Sequence, residues 1–134
     1  MNEKNISKVK VKNGKWKEFN KHAILIAEGH YVNNAKHGLW REYYDSGELA
    51  TEQNYIHGVL HGPYASYHTN GQLWSEGVHV NDQCEGTFKV YNEHGLLIKL
   101  LIFENGRLVE ERDMKNLKNM IHLCSLLVER NEKN

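Results

Sequence analysis

The feature that most constrains this chain is a gap-free internal period of 24 residues running from residue 14 to residue 109. Gly14, Gly38, Gly62 and Gly86 open four segments. Two residues after each glycine stands an aromatic (Trp16, Trp40, Tyr64, Phe88), and five after it another (Phe19, Tyr43, Tyr67, Tyr91). Leu25, Leu49, Leu73 and Leu97 share one phase, and Tyr31, Tyr55, His79 and Phe103 share the next ring-bearing phase. Turn-forming pairs follow: Asn33-Asn34, His57-Gly58, Asn81-Asp82 and Asn105-Gly106. All eleven glycines fall on four phases of the period, so none is left over for the clustered glycine loop that cradles phosphate.

Within a segment the pattern is an aromatic-rich run, a polar turn with glycine, a second run and a second turn. In the second segment these are LWREYY, Asp45-Ser46-Gly47, ELATEQNY and His57-Gly58. Tyr, Trp and Thr suit pleated surfaces, while Asp, Ser, Asn and Gly supply turn conformations, so each segment predicts one β-hairpin. Hairpins alone are marginal in water. A row of them buries each flank against the next, which predicts a mainly β fold: tandem hairpins in an elongated, twisted antiparallel sheet. Strict alternation puts the two aromatic phases on opposite faces unless a bulge resets the count.

The flanks read differently. Residues 1–13 are Lys-rich, and KVKVK (8–12) predicts a short leading edge strand. Residues 110–134 predict a C-terminal amphipathic helix: Met114, Leu117, Ile121, Cys124 and Val128 follow three-four spacing, with Asp113 as N-cap. Such a helix would serve as a lid on the sheet or as a dimer surface. The whole reads as one domain, residues 1–134.

No stretch approaches the roughly 20 apolar residues of a membrane span, and the start lacks the apolar core of a signal peptide; a cytoplasmic protein is expected. Cys84 and Cys124 have no metal-knuckle or redox spacing. His57 and His61 straddle a turn without the glutamate a metalloprotease needs, and His37 and His61 share a phase as loop residues. No catalytic residue, metal site or cofactor is expected, and the chain is read as a non-enzyme.

Net charge is zero but unevenly spread: residues 1–21 carry seven Lys against Glu3 and Glu18, whereas residues 38–85 carry seven acids against Arg41 alone. This predicts an acidic-aromatic surface on the central repeats, with Trp40, Glu42, Tyr44, Tyr64, His68, Trp74 and Glu76 as partner contacts. Such a surface suits a basic protein partner, of toxin or nuclease type, and repels nucleic acid and anionic lipid.

The stretches GLWREYYDSGELATEQNYIHG and GPYASYHTNGQLWSEGVHVND resemble the bacterial variant of the MORN repeat; the first and fourth segments are looser, with Ala23 in place of the mid-segment glycine. The resemblance implies a non-enzymatic binding module. Its bacterial members are associated with antitoxins, which points to a protein that neutralises a partner (antitoxin, immunity or phage-inhibitor type). Its eukaryotic members are associated with membrane scaffolding and assembly, which gives the alternative of a peripheral scaffold.

Overall fold

The computed structural model describes residues 10–115. Ten strands follow one another: β1 (Gly14–Phe19), β2 (Leu25–Val32), β3 (Ala35–Tyr43), β4 (Leu49–Ile56), β5 (Val59–Leu60), β6 (Gly62–Tyr67), β7 (Leu73–Val80), β8 (Gln83–Tyr91), β9 (Leu97–Glu104) and β10 (Arg107–Asp113). Each pairs antiparallel with its sequence neighbours in a single sheet, with the short β5 extending the β4 hairpin just before β6 joins. The expected hairpin sheet is thus the observed one.

Two kinds of turn alternate along the sheet. The pairs Asn33-Asn34, His57-Gly58, Asn81-Asp82 and Asn105-Gly106 all have positive φ at both residues. That is the two-residue turn whose twist matches its flanking strands, and Asn, Asp and Gly tolerate it best. Each turn tip is tied to the previous repeat: the N–H groups of Asn34, Gly58, Asp82 and Gly106 donate to the carbonyls of Lys12, Lys36, Leu60 and Cys84. The wider turns close around Asn20, Tyr44, His68 and Asn92, with Ala23, Gly47, Gly71 and Gly95 in the left-handed region.

Bulges recur with the period. One lies where Ile26, Ala50, Trp74 and Ile98 are the extra residues, and another where Gly38-Leu39-Trp40 oppose Gly29 and Gly86-Thr87-Phe88 oppose Gly77. Bulges of this kind increase the right-handed twist of the strands that carry them. Against β4, β3 pairs without interruption from Gly38 to Glu42, so alternation holds from Trp40 onward. Trp40 and Tyr43 therefore do point to opposite faces, and both faces carry rings.

The flanks depart from expectation. Residues 10–12 are not a strand: Lys12 instead joins the Asn34 turn through its carbonyl and its N–H. Residues 8 and 9 lie outside the described residues. At the other end, residues 110–113, assigned by sequence to the helix, belong to β10, which pairs with β9 as the first strand of a fifth, incomplete repeat. Helical geometry is described only at Met114 and Lys115, where the Lys115 N–H donates to Asp113 Oδ1 at 2.8 Å. The rest of the expected helix, including Leu117, Ile121, Cys124 and Val128, lies outside the described residues, and the described part gives it no support.

Candidate functional site: the two faces of the sheet

Residues directly opposite across a ladder share a face, so the strand register assigns every side chain. One row crosses nine strands as Lys17, Glu28, Arg41, Glu52, Ala65, Glu76, Lys89, Leu100 and Arg112. The adjacent row, one residue along every strand and hence on the other face, is Glu18, Ala27, Glu42, Thr51, Ser66, Ser75, Val90, Lys99 and Asp113.

The second face holds the rings. Trp16 meets Tyr31 edge-on at 5.5 Å between centroids, and Tyr31 meets Trp40 at 4.9 Å. Further along, Tyr64 meets His79 at 5.2 Å and Phe88 meets Phe103 at 5.2 Å. Edge-to-face contacts of this length add to simple burial. Lys36 bridges the middle by placing its ammonium 4.6 Å above Trp40 and 5.3 Å above Tyr55, and Lys12 caps Trp16 at 4.2 Å.

Trp40 and Phe88 are the buried apolar residues among those described, at 2% and 6% exposure. Their burial in so thin a sheet depends on two glycines. A methyl added to Gly29 would sit 2.3 Å from the Trp40 ring, and one added to Gly77 would sit 2.5 Å from the Phe88 ring. Both rings therefore lie directly on backbone. The indole N–H of Trp40 donates to the His30 carbonyl at 2.9 Å, so its polar atom is satisfied too.

This geometry places each residue of the expected contact set. Trp40 is core, because Gly29 lets it sink into the sheet. Tyr64 and His68 are half-buried among neighbours, and the Tyr44 hydroxyl donates to the Tyr67 carbonyl at 2.5 Å. His68 bonds the Tyr91 carbonyl at 2.9 Å and stacks on Trp74 at 5.1 Å. Trp74, the extra residue of a bulge, is the exposed ring of the set at 47%. Glu42 shares the aromatic face, but Glu76 stands on the opposite one. The expected contact residues are therefore divided between the two faces.

The first face is instead an acid-tyrosine ladder. The hydroxyls of Tyr43, Tyr67 and Tyr91 donate to Glu28, Glu52 and Glu76 of the preceding repeat at 2.7, 2.6 and 2.9 Å. Burial, then the Glu28 hydrogen bond, pushes Tyr43 up to about 12; at Tyr67 the Glu52 hydrogen bond leads, then burial, again to about 12. Tyr91 is raised as well, by burial and then by Glu76. Each phenol is thus held protonated as a donor, and each glutamate keeps further lone pairs free to accept. Arg41 Nε uses one such position on Glu52 at 3.1 Å.

Two grooves open on this face. One, of about 670 Å³, is lined by Lys15, Lys17, Glu28, His30, His37 and Arg41 among others, and the other, of about 440 Å³, by Leu39, Glu52, Pro63, Ala65, Glu76, Val78 and Lys89 among others. One histidine there has a structural partner: His37 Nδ1 accepts the His57 backbone N–H at 3.2 Å, a place taken by Asn13 and Glu85 in other repeats. Among the described residues no three His, Cys, Asp or Glu side chains come together as metal ligands.

The chain's segments 36–57 and 60–81 match the family model described as the MORN repeat variant. The match supports a MORN-repeat protein, and repeats of this kind are generally protein- or membrane-binding modules. No curated protein matches the chain. The same strand register and turn geometry extend on both sides of the matched segments, through β1, β2 and β8 to β10.

Proposed function

We propose that this chain is a non-enzymatic protein-binding module that neutralises a basic protein partner, as an antitoxin, immunity protein or phage inhibitor does. The partner docks on the acid-tyrosine face of the central repeats. The observation that carries this reading is the ladder of Glu28, Glu52 and Glu76. Its three carboxylates recur once per repeat, about 10 Å apart at two strand spacings each, and tyrosine hydroxyls hold them in place. Between Glu52 and Glu76 the row carries Ala65 and no cation, and preorganised carboxylates there steer an oppositely charged partner and fix its register. The aromatic face, whose rings pack on one another and on backbone, stabilises the sheet.

The test is calorimetry between the purified chain and the basic protein it captures, repeated with Glu28, Glu52 and Glu76 all replaced by Gln. Loss of binding in the triple variant, with its melting curve still cooperative, supports the reading. Undiminished binding, or recovery of acidic proteins only, removes it.

A second reading, a peripheral scaffold on anionic membrane, draws on β1, where Lys15 and Lys17 lie beside exposed Trp16 (37%) and Phe19 (56%). About 1 kcal/mol per lysine near the surface makes such binding weak. Flotation with phosphatidylserine vesicles at physiological salt decides it, since protein that stays in the dense fraction rules the scaffold out.

A further inference from the structure

The charged row breaks its own rule twice, at Ala65 in the cationic phase and at Leu100 in the acidic one. From Lys17 to Glu52 the signs alternate strictly, as Lys17, Glu28, Arg41, Glu52. The same phase that supplies Lys17, Arg41 and Lys89 supplies Ala65 in the third repeat. Ala65 is paired on one side with Glu52 and on the other with Glu76, so two carboxylates flank a place where a cation belongs. At Arg41 the geometry closes, its Nε donating to Glu52. Glu76 makes no ion pair among the described residues, although Lys89 stands opposite it.

The vacated position is the floor of the groove of about 440 Å³, whose walls add the apolar surfaces of Leu39, Pro63 and Val78. Leu39 and Val78 are 39% and 44% exposed, on a face that nothing in the described chain covers. We propose that this groove is a socket for one arginine side chain of the protein partner. Its alkyl stem lies on Leu39, Pro63 and Val78, and its guanidinium sits above Ala65 between Glu52 and Glu76. Arginine fits better than lysine because the carboxylates stand on strands about 10 Å apart, and a planar fork with donors on several edges reaches both where a point ammonium reaches one. The two hydroxyls of Tyr67 and Tyr91 fix the carboxylates in advance, so little side-chain freedom remains to be lost on binding. The proposal rests on the protein-binding reading above and names the anchor of that contact.

The test uses the full chain labelled with nitrogen-15 and a synthetic peptide, Gly-Leu-Arg-Leu-Gly, capped at both ends. Its controls replace the arginine with citrulline, the neutral isostere, or with lysine. The expected result is a set of saturable amide shifts confined to β4, β6 and β7 around Ala65. They should weaken about tenfold or more in affinity with citrulline, the loss of one charge-assisted hydrogen bond, and weaken in part with lysine. Ala65→Arg, which supplies the cation from within, should abolish the shifts. Glu76→Gln, which leaves the groove open, should weaken them about tenfold or more. Equal shifts with citrulline, shifts spread over the whole acidic face, or binding that survives both variants would overturn the socket. The two readings fail separately. A captured basic protein whose affinity ignores Ala65→Arg and Glu76→Gln leaves the binding module standing without this socket. Arginine-specific shifts without any captured basic protein leave the socket without that partner.

Discussion

Gly29→Ala is the most informative single change, because Gly29 has an ordinary negative φ and only the space above it is special. The new methyl would lie 2.3, 2.4 and 2.6 Å from three atoms of the Trp40 indole. Carbon atoms rest about 3.5–4.0 Å apart, so the ring must retreat by about 1 Å or more, and backbone below the methyl cannot yield. Overpacking of this kind costs about 1–3 kcal/mol, and lifting the ring re-exposes part of a side chain whose full burial is worth about 1.5–3 kcal/mol. Alanine returns about 0.5–1 kcal/mol through strand propensity. The net expectation is a loss of about 2–4 kcal/mol, or a melting temperature lower by about 10–20 °C for a domain of this size. Trp40→Ala alone should cost about 3–5 kcal/mol. With the ring gone, Gly29→Ala should turn neutral or mildly stabilising, leaving a coupling of about 2–4 kcal/mol in a double-mutant cycle followed by thermal and urea melts. If Gly29→Ala lowers the melting temperature equally in both backgrounds, the ring-on-glycine account of the core is wrong.

The left-handed turn position occupied by Ala23 (φ 60°), where the other repeats have glycine, makes Ala23→Gly a stabilising change of about 0.5–1 kcal/mol, measured by urea melts: relief of about 1–2 kcal/mol of backbone strain is offset by glycine's freedom when unfolded. Tyr43 and Tyr67 are raised from about 10 to about 12, so their contribution is complete below pH 10 and is lost as pH climbs towards 12; phenolate absorbance should show both titrating late. Since the Glu52 hydrogen bond leads at Tyr67 but burial leads at Tyr43, Glu52→Gln should advance its partner's titration more than Glu28→Gln does. Burial holds His79 below its usual value of 6.5, against a smaller opposing pull from Asp82, so its contribution is present above that pH and fades as acid protonates it among the rings; His79→Phe should flatten the melting temperature between pH 7 and pH 5.

The period, the hairpins and both turn types were legible because glycines and turn pairs recur at every 24th position, and left-handed turns accept few other residues. β10 was not, because its fifth repeat puts Glu110 where the opening glycine belongs and Arg112 where the ring belongs. Without those markers the apolar spacing from Met114 onward drew the helix boundary too early. The burial of Trp40 was not legible, because an aromatic in a strand looks the same sunk or exposed. The signal lay in Gly29 and Gly77, a glycine phase filled in alternate repeats only, each facing the ring that lies on it. Glu76 was grouped with the rings because charge was summed along the chain, whereas its face is decided by strand register, which depends on bulges that no composition reveals.

The sequential strand order has a consequence for how the molecule is made. Apart from β5, which pairs with β4 alone, the strands pair in chain order, and among the described residues the side-chain hydrogen bonds that tie repeats together span at most 25 residues, as from Asn20 to Asp45. Most β proteins fold slowly because distant segments must find each other first, and the entropy of closing those long loops is lost before any contact rewards it. Here each newly added hairpin finds a finished edge waiting beside it. The chain can therefore settle one repeat at a time as it leaves the ribosome, with the advancing edge strand as the new template exposed at each step.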